Sequence, residues 1–176
     1  SSLQPTPIRL TASTATSAGF STSSWGSGRS TMGDFVVVPR PDSRLGIRRR
    51  LLALAAVGYA RRLARKKPDA LERRLRRISR AARPARVEEA IAAHRAVVSV
   101  STRCSGRWCL DRSIAIALLL RMSGAWPEWH TGVCLLPFRA HAWITVDGEP
   151  IGEPEGLRDN FKPLMTVVAG GKNRGR

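Results

Sequence analysis

Acidic residues are scarce. The 176-residue chain carries 13 Asp and Glu against 30 Lys and Arg, a formal net charge of +17. So lopsided a balance calls for an acidic partner or surface: nucleic acid, an anionic membrane, or an acidic protein or peptide. Aromatic side chains for base stacking are also few, with one Tyr and four Phe, and no DNA- or RNA-reading motif is present. Nucleic acid is therefore not the expected partner, and an Arg-rich nucleic-acid-binding module without catalysis is the alternative reading. Cysteines number only three, an odd count that cannot pair completely within the chain. A reducing compartment, the cytoplasm, is expected. No apolar run reaches the ~20 residues that cross a bilayer; Leu51 to Ala60 is about half that length. The first residues lack the basic and apolar regions of a secretory signal, so none is expected. No Gly-rich phosphate loop occurs, and nucleotide binding has no support.

What is present falls into three parts. Residues 1–42 are rich in Ser, Thr, Gly and Pro and cannot bury enough apolar surface to offset chain entropy, so an extension without fixed structure is expected. Within it, Asp34 to Pro39 reads either as a short strand or as an exposed sticky segment. Residues 43–169 form the expected domain. Residues 170–176 read as a loose basic tail.

The domain opens with three expected helices. The first spans 43–67, with Ser43 as N-cap and Leu45, Leu51, Leu52, Leu54, Ala55 and Tyr59 as its apolar positions. Pro68 breaks it and opens the second, which sets Leu71, Leu75 and Ile78 on one face among arginines. The third, over 86–100, has Glu88 and Glu89 in its first turn and a stripe of Val87, Ile91, His94 and Val98. His94 reads as a packed core histidine. Between Arg40 and Arg86 stand 17 Lys/Arg and 3 Asp/Glu, so this region carries +14 of the +17. That asymmetry suggests a partner-binding role beyond a merely solvated face.

The segment Arg103 to Ser113 changes character. A polar loop with Gly106 leads to Cys109, and then Leu110, Ile114, Ile116 and Leu118 to Leu120 cover most of a helix circumference. Such a helix is central and buried, and Gly124 is its expected stop. Strand-like pieces follow at Gly132 to Leu136 and at His141 to Val146. Asp147-Gly148 signals a hairpin, with a return at Glu149 to Glu153. Beyond Pro154, Phe161, Leu164, Met165, Val167 and Val168 supply one more packed piece. The fold class is α+β: N-terminal helices, a central buried helix carrying the cysteine, and a small antiparallel sheet carrying the histidine.

Three residues suit nucleophilic catalysis. A helix N-terminus, Arg107, Arg112 and a neighbouring imidazole would favour thiolate at Cys109. His141 would act as the base and then as the acid for the leaving amine, and a third polar group must orient its ring. A two-residue Asp147-Gly148 turn pairs His141 with Pro154. A three-residue turn with Gly148 in a bulge sets His141 opposite Glu153, with Cβ atoms about 5 Å apart. Asp147, the rival third member, lies roughly 20 Å along the strand from His141, so Glu153 is favoured. A competing set, Cys104-x4-Cys109 with His130-x3-Cys134, offers four zinc-type ligands at a spacing unlike common zinc sites. A Cys104–Cys109 disulfide is the other option, disfavoured in a reducing compartment. No metal or other cofactor is expected.

Three blocks, Cys109-Leu110-Asp111-Arg112-Ser113, Trp126-Pro127-Glu128-Trp129 with Thr131-Gly132-Val133, and Pro137-Phe138-Arg139-Ala140-His141-Ala142-Trp143, resemble the lasso peptide leader peptidases. These are the stand-alone protease halves of the lasso peptide B proteins, similar to transglutaminase-like cysteine proteases. The resemblance spans roughly residues 84–168. It implies a transglutaminase- or papain-like fold in a bacterial cytoplasmic enzyme that cuts the leader from a ribosomally made precursor peptide. It also implies a small partner, a RiPP recognition element, that delivers the precursor, and a separate lasso cyclase that uses the freed amine. By this resemblance Cys109 matches the nucleophile and His141 the base. Glu153 stands where the family usually has aspartate.

Overall fold

The computed structural model describes residues 45–104, 108–154 and 156–171. The expected extension over 1–42 and the Ser43 cap lie outside them, as do the last five residues of the expected tail.

Helix α1 spans Ile47–Ala64 and begins after Gly46. Its buried positions are Ala53, Ala56, Val57, Ala60 and Leu63, spaced as one helical face. This corrects the expected face. Leu51 and Leu54 are exposed, and Tyr59 is at the exposed margin. The reason is steric. Alanines let α1 approach helices α3 (Val87–Val100) and α4 (Cys109–Met122) closely, where leucines would hold them apart.

Helix α2 (Pro68–Ser79) starts on Pro68, whose missing N–H costs nothing at a first helical position. Leu71 and Leu75 are buried as expected. Strand β1 (Arg83–Pro84) pairs in parallel with β2 (Ala125–Trp126), which fixes the lead into α3. Helix α3 is capped by Glu89, which accepts the Arg86 N–H at 3.1 Å and both guanidinium arms of Arg83. Its buried side is Ala90, Ala93, His94, Ala96, Val97 and Val98. The expected stripe is thus rotated: Ile91 is 38% exposed, while His94 is buried.

Helix α4 is the axis of the molecule. From Asp111 to Leu120 every residue is buried, and each fully buried Ile or Leu contributes roughly 2 kcal/mol. It ends at Ser123, with Gly124 in the left-handed region at φ 79°, as the stop signal predicts. Helices α1 and α3 and the sheet all pack on α4.

The sheet is antiparallel in the order β5-β4-β3-β6. Its strands are β3 (Glu128–Leu135), β4 (Phe138–Val146), β5 (Glu149–Pro150) and β6 (Lys162–Val167), with a helical turn α5 (Leu157–Asn160) before β6. Trp129, Ile144 and Val167 stand side by side in the registers and are buried. Trp129 donates its indole N–H to the Ser113 hydroxyl at 3.0 Å, and Trp126 donates to the Val167 carbonyl at 3.1 Å. These two bonds tie the sheet to α4 and close its β6 edge. The fold is the α+β arrangement expected from the sequence. Gly170 and Gly171, expected in the loose tail, instead form a short turn whose Gly171 packs on Arg80 and the Arg76 carbonyl.

Candidate active site

Cys109 opens α4 and is half-buried. It meets β4 because β5 is only two residues long and pairs only with Thr145 and Val146. Beyond that point, among the described residues, no strand pairs with this edge of β4. The Ile144 carbonyl accepts the Ile151 N–H at 3.1 Å. Further along, the Ala142 N–H is hydrogen-bonded to the Cys109 sulfur.

His141 lies on β4 and is hydrogen-bonded to the Cys109 thiol. Its Nε2 lies 2.8 Å from Oε2 of Glu153, which leaves Nδ1 to serve the thiol. Trp143 stacks on the ring at 12° between planes, and Phe161 contacts it at 46°. The ring is therefore held by an acceptor at one end and by aromatic faces beside it.

Glu153 has a second partner. Its Oε1 accepts from the Arg112 guanidinium at 2.7 Å, and the two side chains are only 6% and 7% exposed. A buried carboxylate paired on both oxygens is held in one orientation. Arg112 is three residues past Cys109 on the same helix, so α4 supplies the cysteine and the anchor of the acid together.

The electrostatics follow from these contacts. Burial pushes the Cys109 thiol up, but the hydrogen bond and charge of His141, the Ala142 N–H and Arg112 outweigh it, and the thiol ends below its ordinary value. Burial pushes His141 down, yet its bonds to Cys109 and Glu153 and their charges raise it to about 9. Burial raises Glu153, but His141 and Arg112 carry it below the usual carboxylate range. Both shifts favour the thiolate–imidazolium form of the pair over a neutral thiol and imidazole.

The expected turn register is corrected. Val146 pairs with Glu149 and Thr145 with Pro150, so Asp147-Gly148 is a two-residue turn with φ 52° and 85°. In this register Glu153 does not sit opposite His141 on a strand. It arrives because Gly152, at φ 70°, turns the chain out of β5. The ring of His94 fills the space beneath: a Cβ on Gly152 would stand 2.4 Å from His94 Nε2. Asp147 is exposed at the turn, and Glu153 is the acid that contacts His141.

The alternative zinc set does not gather. Among the described residues no three His, Cys, Asp or Glu side chains lie close enough to share a metal ion. The two ring nitrogens of His130 bond the Thr166 and Thr145 hydroxyls at 3.0 and 2.9 Å, and all three cysteines are free. Cys104 is fully buried, and burial raises its thiol.

A helix-borne cysteine, a strand-borne histidine and a buried acid in this chain order coincide with a family match over residues 53–166, well over half of the chain. The chain belongs to the transglutaminase-like superfamily. No curated protein and no solved structure gives a significant match. The superfamily match begins inside α1 and ends within β6, so it covers every element that positions the cysteine, histidine and acid. Among the described residues no helix is long and apolar enough to cross a membrane.

Two supporting residues escaped the sequence reading. Arg112 was noticed only for its closeness to Cys109, although a charged residue on an otherwise apolar helix signals a buried partner. Gly152 carried no signal beyond being a glycine one residue before the acid.

Proposed function

We propose that this chain is a cysteine peptidase that removes the leader from a ribosomally made lasso peptide precursor, with Cys109, His141 and Glu153 as its catalytic group. The observation that carries the reading is the continuous line from the Cys109 thiol through His141 to Glu153, locked by Arg112. A solvated basic module has no use for such a buried line, which counts against the nucleic-acid reading. The leader specificity rests on the sequence resemblance.

The Cys109 thiolate attacks the scissile carbonyl at the leader–core junction. The Cys109 N–H, at the start of α4, donates to the developing oxyanion. The C–N bond breaks as the imidazolium gives its proton to the departing core amine, leaving the leader as a thioester. Neutral His141 then takes a proton from water, whose oxygen attacks the thioester, and the thiolate leaves. Glu153 holds the ring with Nε2 turned away from the thiol throughout. The reaction uses no metal or organic cofactor. A recognition-element partner delivers the precursor, and the freed amine passes to a cyclase. The working domain is residues 43–169, in the cytoplasm.

The test is mass spectrometry of the precursor incubated with its recognition partner and either wild type or Cys109→Ala. Leader and core should appear with wild type alone. Equal cleavage by both proteins would refute the assignment of Cys109.

A further inference from the structure

Away from the catalytic group, α1 and α2 enclose a cleft of about 550 Å³, a size typical of ligand sites. From α1 and the residues after it come Tyr59, Arg62 and Lys66; from α2 come Arg73, Arg74 and Arg77. Tyr59, Arg62 and Lys66 recur at three- and four-residue intervals, and on α2 Arg73 and Arg77 stand four apart with Arg74 between them, so each segment turns one side to the cleft. Five cations therefore converge, and among the described residues none is ion-paired to a carboxylate. The nearby acid Glu72 is already paired with Arg76. Arg74 donates to the Tyr59 hydroxyl from Nε and from a terminal nitrogen, at 3.2 and 3.1 Å. Its guanidinium is thus fixed across the cleft, while its charge stays unneutralised.

We propose that this cleft is an exosite for an acidic stretch of the peptide substrate. The proposal rests on the peptidase reading for the identity of its ligand, and on the cleft alone for its chemistry. Arginine forks take carboxylates in bidentate pairs, and a concave site of this size holds a few residues. A stable protein partner covers about 800 Å² on each side, far more than the cleft offers. A nucleic-acid strand needs stacking platforms, and Tyr59 is the single aromatic residue on α1 and α2.

The test is fluorescence anisotropy with labelled hexaglutamate, with hexaglutamine and hexathymidylate as comparison probes. It uses the full chain in the Cys109→Ala background, so cleavage plays no part. Hexaglutamate should bind, and hexaglutamine should not. R73Q/R77Q should weaken hexaglutamate at least tenfold. R48Q/R49Q removes the same charge from exposed positions outside the cleft and should change affinity less than twofold. Equal losses in the two double variants would reduce the effect to net charge and overturn the exosite. Tighter hexathymidylate binding with the same Arg73/Arg77 dependence would overturn it in favour of a phosphate site. Absence of hexaglutamate binding would overturn it while leaving the peptidase reading intact.

Discussion

Glu153→Gln isolates charge from shape at the acid that orients His141. The amide keeps the volume and one acceptor oxygen but loses the charge shared between His141 and Arg112. His141 is raised from 6.5 to about 9, a gap worth about 3 kcal/mol. Cys109 and Glu153 both contribute. If Glu153 supplies about half, its charge is worth roughly tenfold in the imidazolium that supports the thiolate. The assay needs no substrate. Alkylation of Cys109 by iodoacetamide, read by peptide mass mapping, follows the thiolate fraction across pH. Cys104 and Cys134 are buried and serve as internal references. Near pH 6.5 the variant should react about tenfold more slowly than wild type, and its midpoint should move toward that of an ordinary thiol. The change also leaves a buried guanidinium without its counter-charge, at a cost of about 3 kcal/mol, or roughly 10 °C in Tm. An unchanged alkylation profile in a folded variant would refute the claim that Glu153 sustains the ion pair.

Two further outcomes are expected. Stability should fall on the acid side as a buried histidine is forced to take a proton. His94 is lowered to about 4 by burial and then by Arg112, so the unfolded chain gains its proton first as pH falls from 6.5 to 4, at a cost of up to about 3 kcal/mol. Chemical denaturation across pH should show this acid limb, and His94→Asn should flatten it; an unaltered acid limb would refute that assignment. Gly152→Ala forces a left-handed backbone on alanine and a Cβ 2.4 Å from the His94 ring. It should destabilise the chain by at least about 1–3 kcal/mol and slow Cys109 alkylation by displacing Glu153. A wild-type alkylation rate would show that Glu153 reaches His141 without Gly152.

What could be read before the structure divides along physical lines. Helix α4 was legible because an all-round apolar helix has one place to go, and Cys109 at its start follows from the polar loop before it. His141 and Glu153 were found, but Glu153 for the wrong geometric reason. The sequence reading asked strand register to deliver the acid, whereas a two-residue turn and the bend at Gly152 deliver it. Turn residues such as Asp147-Gly148 are compatible with both loop lengths, and the choice is made by packing on α4 and α3. The face of α1 was misread because hydrophobicity counts favour Leu51, Leu52 and Leu54. Close helix packing instead favours Ala53, Ala56 and Ala60, whose small size is the property that matters. Strand β3 begins four residues earlier than expected because Trp129 is a core residue of the sheet rather than part of the loop after Trp126.

The Arg112–Glu153 bridge joins segments 41 residues apart, and it makes the reactivity of the thiol a property of the finished fold. When Cys109 is joined to the growing chain, neither its histidine nor the acid behind it has been made. A chain stalled or truncated before Gly152 carries an ordinary cysteine, protonated and sluggish at neutral pH. Only when the last strands close over α4 does the sulfur meet the groups that lower its thiol. The thiol is thus tuned by completion of the fold, and local opening of the Gly152 bend would return it to an ordinary cysteine.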